Sequence, residues 1–276
     1  MQQTFKVLIN SFYGYLGTTL HNFSDQALAA EVTRLGRETI KYMLQWLRDR
    51  GAEPVEIDTD GIYFVPPPDI CMPEQEENLV EELSKALPAG IDVEMSGRYK
   101  AMFSYKMKNY ALLEYDGKII LKGSALKSRG LEKYLREFMK ELIQLLLLNQ
   151  PAQIESLYGE YVQRLRTHGF DISWLAKTET LGESPANYLQ KVRHGKRNPS
   201  AAFEIALKSA HDYRAGDQVS HYVAGSGKGV TVYESSRPAS VYDPSHPDEN
   251  VEYYIEKLKQ LKQKFTKLLD KELSLF

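Results

Sequence analysis

The chain has 276 residues, of which 42% are hydrophobic and 26% charged, and a formal net charge of −2. That composition fits one large folded domain or two modest ones, and a near-neutral sum neither requires nor forbids a polyanionic partner, since only the face that meets phosphate need be basic. Cys71 is the single cysteine, which excludes a disulfide framework and a cysteine-based zinc site, and the six histidines lack the spacing of paired metal ligands.

Residues 4–17 predict a helix with an apolar stripe of Phe5, Leu8, Ile9, Phe12 and Leu16, while Lys6, Asn10 and Tyr13 fall on another face. A second helix is expected from about Ser24 to Arg50, stopped by Gly51. Two short β-prone runs around Thr59-Asp60-Gly61 then read as a hairpin, followed by an acidic amphipathic helix over 74–87. Strands are expected in 91–95, in the long run 100–115 and in 118–126, the last two joined at Asp116-Gly117.

From Leu131 the pattern turns helical. Helices are expected over 131–149, 151–168 and 199–211, with an irregular basic stretch at 177–198. A β pair is expected from 217–225 and 229–235, joined by the glycine-rich segment 225–229, and a charged helix closes the chain over 250–273. The expected fold class is α+β: an antiparallel sheet with packed helices, then a mostly helical part with a small β pair. The change of texture predicts a boundary near Leu131. No stretch resembles a secretory signal, and the most apolar run, Leu142 to Leu148, is too short to span a bilayer. The expectation is a cytoplasmic protein without a membrane partner.

Asp58 and Asp60, two residues apart on extended backbone, direct their carboxylates to one side. Paired carboxylates are what a divalent cation working on phosphates uses, although Asp-Gly is also a common solvated hairpin tip. Lys6, Asn10 and Tyr13 place a cation, an amide and a ring along one strip, which suits a triphosphate, sugar and base or simply a solvated helix face. In the run around Lys106, Lys108 and Tyr110, strand alternation predicts a cationic outer face and an inner face of Tyr105, Met107, Asn109 and Ala111. Between Arg98 and Arg136 the cations are 98, 100, 106, 108, 118, 122, 127, 129, 133 and 136, against the acids 114, 116 and 132. Lys191, Arg193, Lys196 and Arg197 are further candidate phosphate contacts. The segment 225–229 lacks the residues of a phosphate-cradling loop.

Lys6-Val-Leu-Ile-Asn10-Ser11-Phe-Tyr13-Gly14 resembles the fingers-helix motif of family B DNA polymerases. Asp58-Thr59-Asp60 resembles their palm hairpin, and Lys108-Asn109-Tyr110 their Lys-x-Tyr motif, continued by Lys122-Gly123, Lys127 and Arg129. The resemblance implies nucleotide contacts by Lys6, Asn10 and Tyr13, and service to two Mg²⁺ (or Mn²⁺) ions by Asp58 and, more directly, Asp60. It also implies primer–template contacts by Lys106, Lys108, Tyr110, Lys122 and Arg129. The implied reaction is transfer of a deoxynucleoside triphosphate's nucleotidyl group to a primer 3′-hydroxyl, in replication or repair. The implied layout is the end of the fingers at 1–22, palm at 23–130 and thumb at 131–276. Glu56-Ile57 stands where many relatives carry Tyr-Gly, and Gly61 where many carry Ser. The proofreading part, the other palm aspartate and the other fingers helix have no counterpart here. The chain is therefore expected to be inert without an N-terminal region or chain supplying them. The alternative is a duplex-DNA-binding remnant, or a subunit of a split polymerase.

Overall fold

The computed structural model describes residues 2–19, 24–58, 61–127 and 130–273, without the side chains of residues 2, 3, 5, 6, 58 and 268–273. The chain divides into two compact units, residues 1–98 and 99–276. The architecture is α+β, with three small antiparallel sheets among many helices.

In the first unit, α1 (Gln2–Leu16) is followed by α2 (Gln26–Arg48), which starts where the Asp25 carboxylate accepts from the Leu28 amide at 2.9 Å. The hairpin strands β1 (Glu53–Asp58) and β2 (Gly61–Val65) pair antiparallel, and α3 (Pro73–Lys85) follows. Apolar periodicity puts Met43, Trp46 and Leu47 of α2 against Leu79 and Leu83 of α3, with Ile62 and Phe64 of β2 packed onto them. Arg98 grips the Glu76 carboxylate of α3 through two bonds of 2.5 and 2.8 Å. Residues 91–95, expected to be a strand, pair with no strand among the described residues. Val93 instead donates its amide to the Ser84 hydroxyl at 3.0 Å.

The second unit opens with β3 (Ala101–Lys106), β4 (Asn109–Leu113) and β5 (Ile119–Lys122), a sheet in that order, then the single-turn helix α4 (Ser124–Lys127). Helices α5 (Lys133–Leu147), α6 (Ile154–Arg166) and α7 (Ile172–Leu175) precede β6 (Lys177–Thr180), α8 (Pro185–Arg193) and α9 (Ala201–Lys208). Strand β7 (Gln218–Val223), α10 (Val232–Ser235), β8 (Ser236–Pro238) and α11 (Val251–Leu273) complete it. One core joins Ala111 and Leu113 of β4 to Leu135, Phe138 and Leu142 of α5 and to Tyr254, Leu258 and Phe265 of α11. The change of texture at Leu131 thus falls within a unit, because the sheet before it and the helices after it bury each other.

The expected small β pair needs correcting. β7 pairs with β6 on one side and β8 on the other, and the run 229–235 ends in the turn of α10. The glycine-rich segment is therefore a loop leading away from β7, and Ala224 bridges to Glu249. The basic stretch 177–198 is ordered as β6 and α8.

Candidate functional site

Asp58 ends β1 and faces Gly61 across the ladder, and Thr59 lies outside the described residues. Asp60 and the Asp58 side chain lie outside the described residues. The hairpin is anchored through Ile62 and Phe64, which reach the core, whereas Val55, Ile57 and Val65 are exposed. Two carboxylates two residues apart match the hard-oxygen preference of magnesium-class cations, so the donor chemistry fits such an ion. Among the described residues no group of three or more His, Cys, Asp or Glu could hold a metal.

On α1, Asn10 and Tyr13 are exposed, and the Tyr13 hydroxyl lies 3.5 Å from Thr33 Oγ1 of α2. The Lys6 side chain lies outside the described residues. Of the expected apolar stripe, Leu16 is buried, but Leu8 and Ile9 are each 66% exposed and Phe12 is 59% exposed. The helix is amphipathic as its spacing predicts, yet Leu8, Ile9 and Phe12 of its apolar stripe are left largely exposed.

The long strand expected through Lys106, Lys108 and Tyr110 is two strands joined by a two-residue turn at Met107-Lys108, with Lys106 opposite Asn109. The turn interrupts the alternation on which the expected faces rested. Met107, expected inside, is 81% exposed. Tyr110, expected on the outer face, is 1% exposed between Ser104 and Lys122 on its neighbouring strands. Tyr105 does face inward, stacking on Phe265 of α11 with ring centroids 4.9 Å apart. Lys106, Lys108, Lys122 and Lys127 are all exposed. Lys106 and Lys122 end their strands where the turn begins and α4 follows, so the four form a cationic rim at one end of the sheet. Arg129 lies outside the described residues.

Of the other basic candidates, Lys191 reaches Glu183 at 2.6 Å and Arg197 pairs with the same carboxylate. Lys191 first, and Arg197 after it, hold Glu183 below the usual carboxylate range. Arg197 also lies over the Phe203 ring at 4.5 Å, so it braces α8 against α9. Among the described residues no helix is long and apolar enough to cross a membrane.

The family model for DNA polymerase family B matches residues 1–64 and 72–271. The DNA polymerase of Archaeoglobus fulgidus is 28% identical over 196 residues, which are 71% of this chain and 25% of that protein. The DNA polymerase of Thermococcus sp. (strain 9oN-7) is 25% identical over 260 residues, 92% of this chain and 32% of that protein. The structure of the family B DNA polymerase from Pyrobaculum calidifontis superposes with a TM-score of 0.73 at 22% identity, covering 95% of this chain and 33% of that one. This last likeness shows the fold. The chain thus spans between 25% and 33% of the length of these relatives. It belongs to DNA polymerase family B.

Proposed function

We propose that this chain is the palm–thumb portion of a DNA-directed DNA polymerase, which binds the primer–template duplex and supplies part of the metal site. The observation that carries this reading is the family match across residues 1–64 and 72–271, and the sequence order of the Lys6 helix, the aspartate hairpin and the lysine rim is the order that the resemblance implies. On this reading residues 1–22 end the fingers, 23–130 belong to the palm and 131–276 form the thumb.

Each group then has a chemical task. Lys6 offsets charge on the incoming triphosphate, and Asn10 and Tyr13 flank the nascent base pair. Lys106, Lys108, Lys122 and Arg129 neutralise phosphates of the duplex end. Tyr110, buried beneath the turn, supports that surface from below. Asp58 and Asp60 would hold magnesium or manganese, which when bound supplies activation of a 3′-hydroxyl and neutralisation of developing phosphate charge.

A third donor has to come from elsewhere, and so does much of the nucleotide pocket. An N-terminal polymerase region or chain carrying the other palm aspartate is the proposed source. The uncovered apolar residues of the first unit support this: Leu8, Ile9 and Phe12 on α1, Val32 and Leu35 on α2, and Ile57 on β1. So does the hairpin itself, whose two strands are each paired on one side only among the described residues, leaving backbone donors and acceptors along both outer edges for a further strand.

The test is primer extension with Mg²⁺ and deoxynucleoside triphosphates. The purified chain alone is expected to bind a primer–template duplex in a salt-sensitive way and to extend nothing. Robust extension by the chain alone, abolished by Asp60→Ala, would overturn the incompleteness. Absence of duplex binding at low salt would overturn the polymerase reading itself.

A further inference from the structure

Lys108 occupies the left-handed region at φ 60°, where a side chain is uncommon and disfavoured. A two-residue hairpin turn ordinarily places glycine or asparagine in such positions. Such a conformation is kept only where neighbouring groups hold it. The side chain of Asn109 reaches both ways from the base of the turn. Its Nδ2 donates to the Met107 carbonyl at 3.0 Å, and its Oδ1 accepts from the Ala125 amide at 2.8 Å. One amide thereby ties the β3–β4 turn to the first turn of α4, satisfying a helix-start donor that lacks an intrahelical partner.

Gly123 makes this approach possible. It also lies in the left-handed region, at φ 87°. A Cβ added there would meet the Lys108 carbonyl oxygen at 2.2 Å and Asn109 Oδ1 at 2.3 Å, so no residue with a side chain fits without moving the turn. The lock sits among the four exposed lysines: Lys106 and Lys108 on one side, Lys122 and Lys127 on the other.

We infer that Asn109, seated on Gly123, is a positioning residue that fixes Lys108 in its left-handed conformation and so sets the lysine rim for the phosphates of a duplex. This rests on the proposed role of the rim, but it assigns the work differently. Asn109 need not touch nucleic acid. It holds a strained turn in the form that carries the cation, and such strain is kept where surrounding structure over-determines it.

The experiment measures affinity of the full chain for a primer–template duplex by fluorescence anisotropy across a salt series. Lys108→Ala is expected to lower the slope of log K against log salt by about 0.9, the loss of one phosphate contact. Asn109→Ala and Gly123→Ala are each expected to reproduce that drop, with affinity falling several-fold at low salt. Adding Asn109→Ala to Lys108→Ala is expected to cost nothing further, because both act on one contact. Ile119→Ala, at the far end of β5, is the control for general destabilisation: it is expected to lower the melting temperature and leave the slope alone.

A folded Asn109→Ala protein with the unaltered slope would overturn the inference, as would full additivity with Lys108→Ala or an equal drop in the control. If Asn109→Ala does not fold, Gly123→Ala perturbs the same lock from its other side and decides the matter. If Lys108→Ala itself leaves the slope unchanged, the proposed duplex role of the rim falls, and the positioning role with it. That result differs from one in which Lys108 matters and Asn109 does not.

Discussion

The hydroxyl of Tyr134 donates to the backbone carbonyl of Tyr254 at 2.9 Å, joining α5 to α11 across 120 positions of sequence. The rings meet edge to face with centroids 5.7 Å apart, and the Tyr254 hydroxyl in turn accepts from the Val223 amide at 2.9 Å. Burial pushes the Tyr134 hydroxyl well above the usual tyrosine range. The two tyrosines thus link α5, α11 and the end of β7.

The pair gives unequal phenylalanine variants. Tyr134→Phe removes a donor from a helix carbonyl, a loss of about 1 kcal/mol. Tyr254→Phe strands the buried Val223 amide and is expected to cost more, about 1–3 kcal/mol. Urea denaturation of the two variants checks the order, and equal costs would contradict it.

Glu132 and Lys257 give a larger effect. Glu132 is buried at the start of α5, pairs with Lys257 through one oxygen, and has no hydrogen-bond partner for Oε2. Lys257→Met leaves a buried carboxylate without its cation, which costs about 3–5 kcal/mol. The double change Glu132→Gln with Lys257→Met is expected to recover much of that. A single variant as stable as the parent would show that Glu132 gains water on losing its partner.

These contacts mark where sequence reasoning succeeded and where it stopped. The helices α2, α3, α5, α6 and α11 were legible because each buries one stripe, so apolar spacing reports directly on packing. The aspartate hairpin was legible from two short β-prone runs on either side of Thr59-Asp60-Gly61. The Met107-Lys108 turn was not, because neither residue is a turn former and Lys108 is held in place by Asn109 and Gly123 from outside the turn. β6 was missed because its burial alternates weakly within a polar run. The proposed role of Asp58 and Asp60 rests on the order of motifs, since two acids beside a glycine make an ordinary hairpin tip by themselves. Nor does the spacing of Leu8 and Phe12 say what covers them.

Acid sensitivity is expected at Glu179 of β6. The His221 imidazole, 3.9 Å away, and Lys177 at 2.5 Å hold its carboxyl down to about 2, against the partial burial that would raise it. The folded-state value lies below the ordinary 4.5, so the stabilisation is complete above 4.5 and fades as pH falls toward 2. In that window the unfolded chain takes up a proton that the folded chain refuses. Melting temperatures recorded from about pH 6 to about pH 3 should fall less steeply in Glu179→Gln than in the parent. Identical slopes would remove Glu179 from the acid response.

The exposed face of α1 separates a folding role from a docking role. Leu8 is 66% exposed and Phe12 59% exposed, so neither buries enough surface in this chain to matter for its own stability. Leu8→Ser and Phe12→Ser should each change unfolding free energy by less than about 0.5 kcal/mol. A core substitution such as Leu142→Ala, at a fully buried position of α5, should cost about 2–5 kcal/mol. The same two serine variants should weaken association with an N-terminal polymerase region measured by calorimetry, because contact there would remove both side chains from water at about 25 cal/mol per Å². A core-sized loss of stability in either variant would mean that the α1 face is already covered within this chain. Unchanged association would mean that the N-terminal region docks somewhere else.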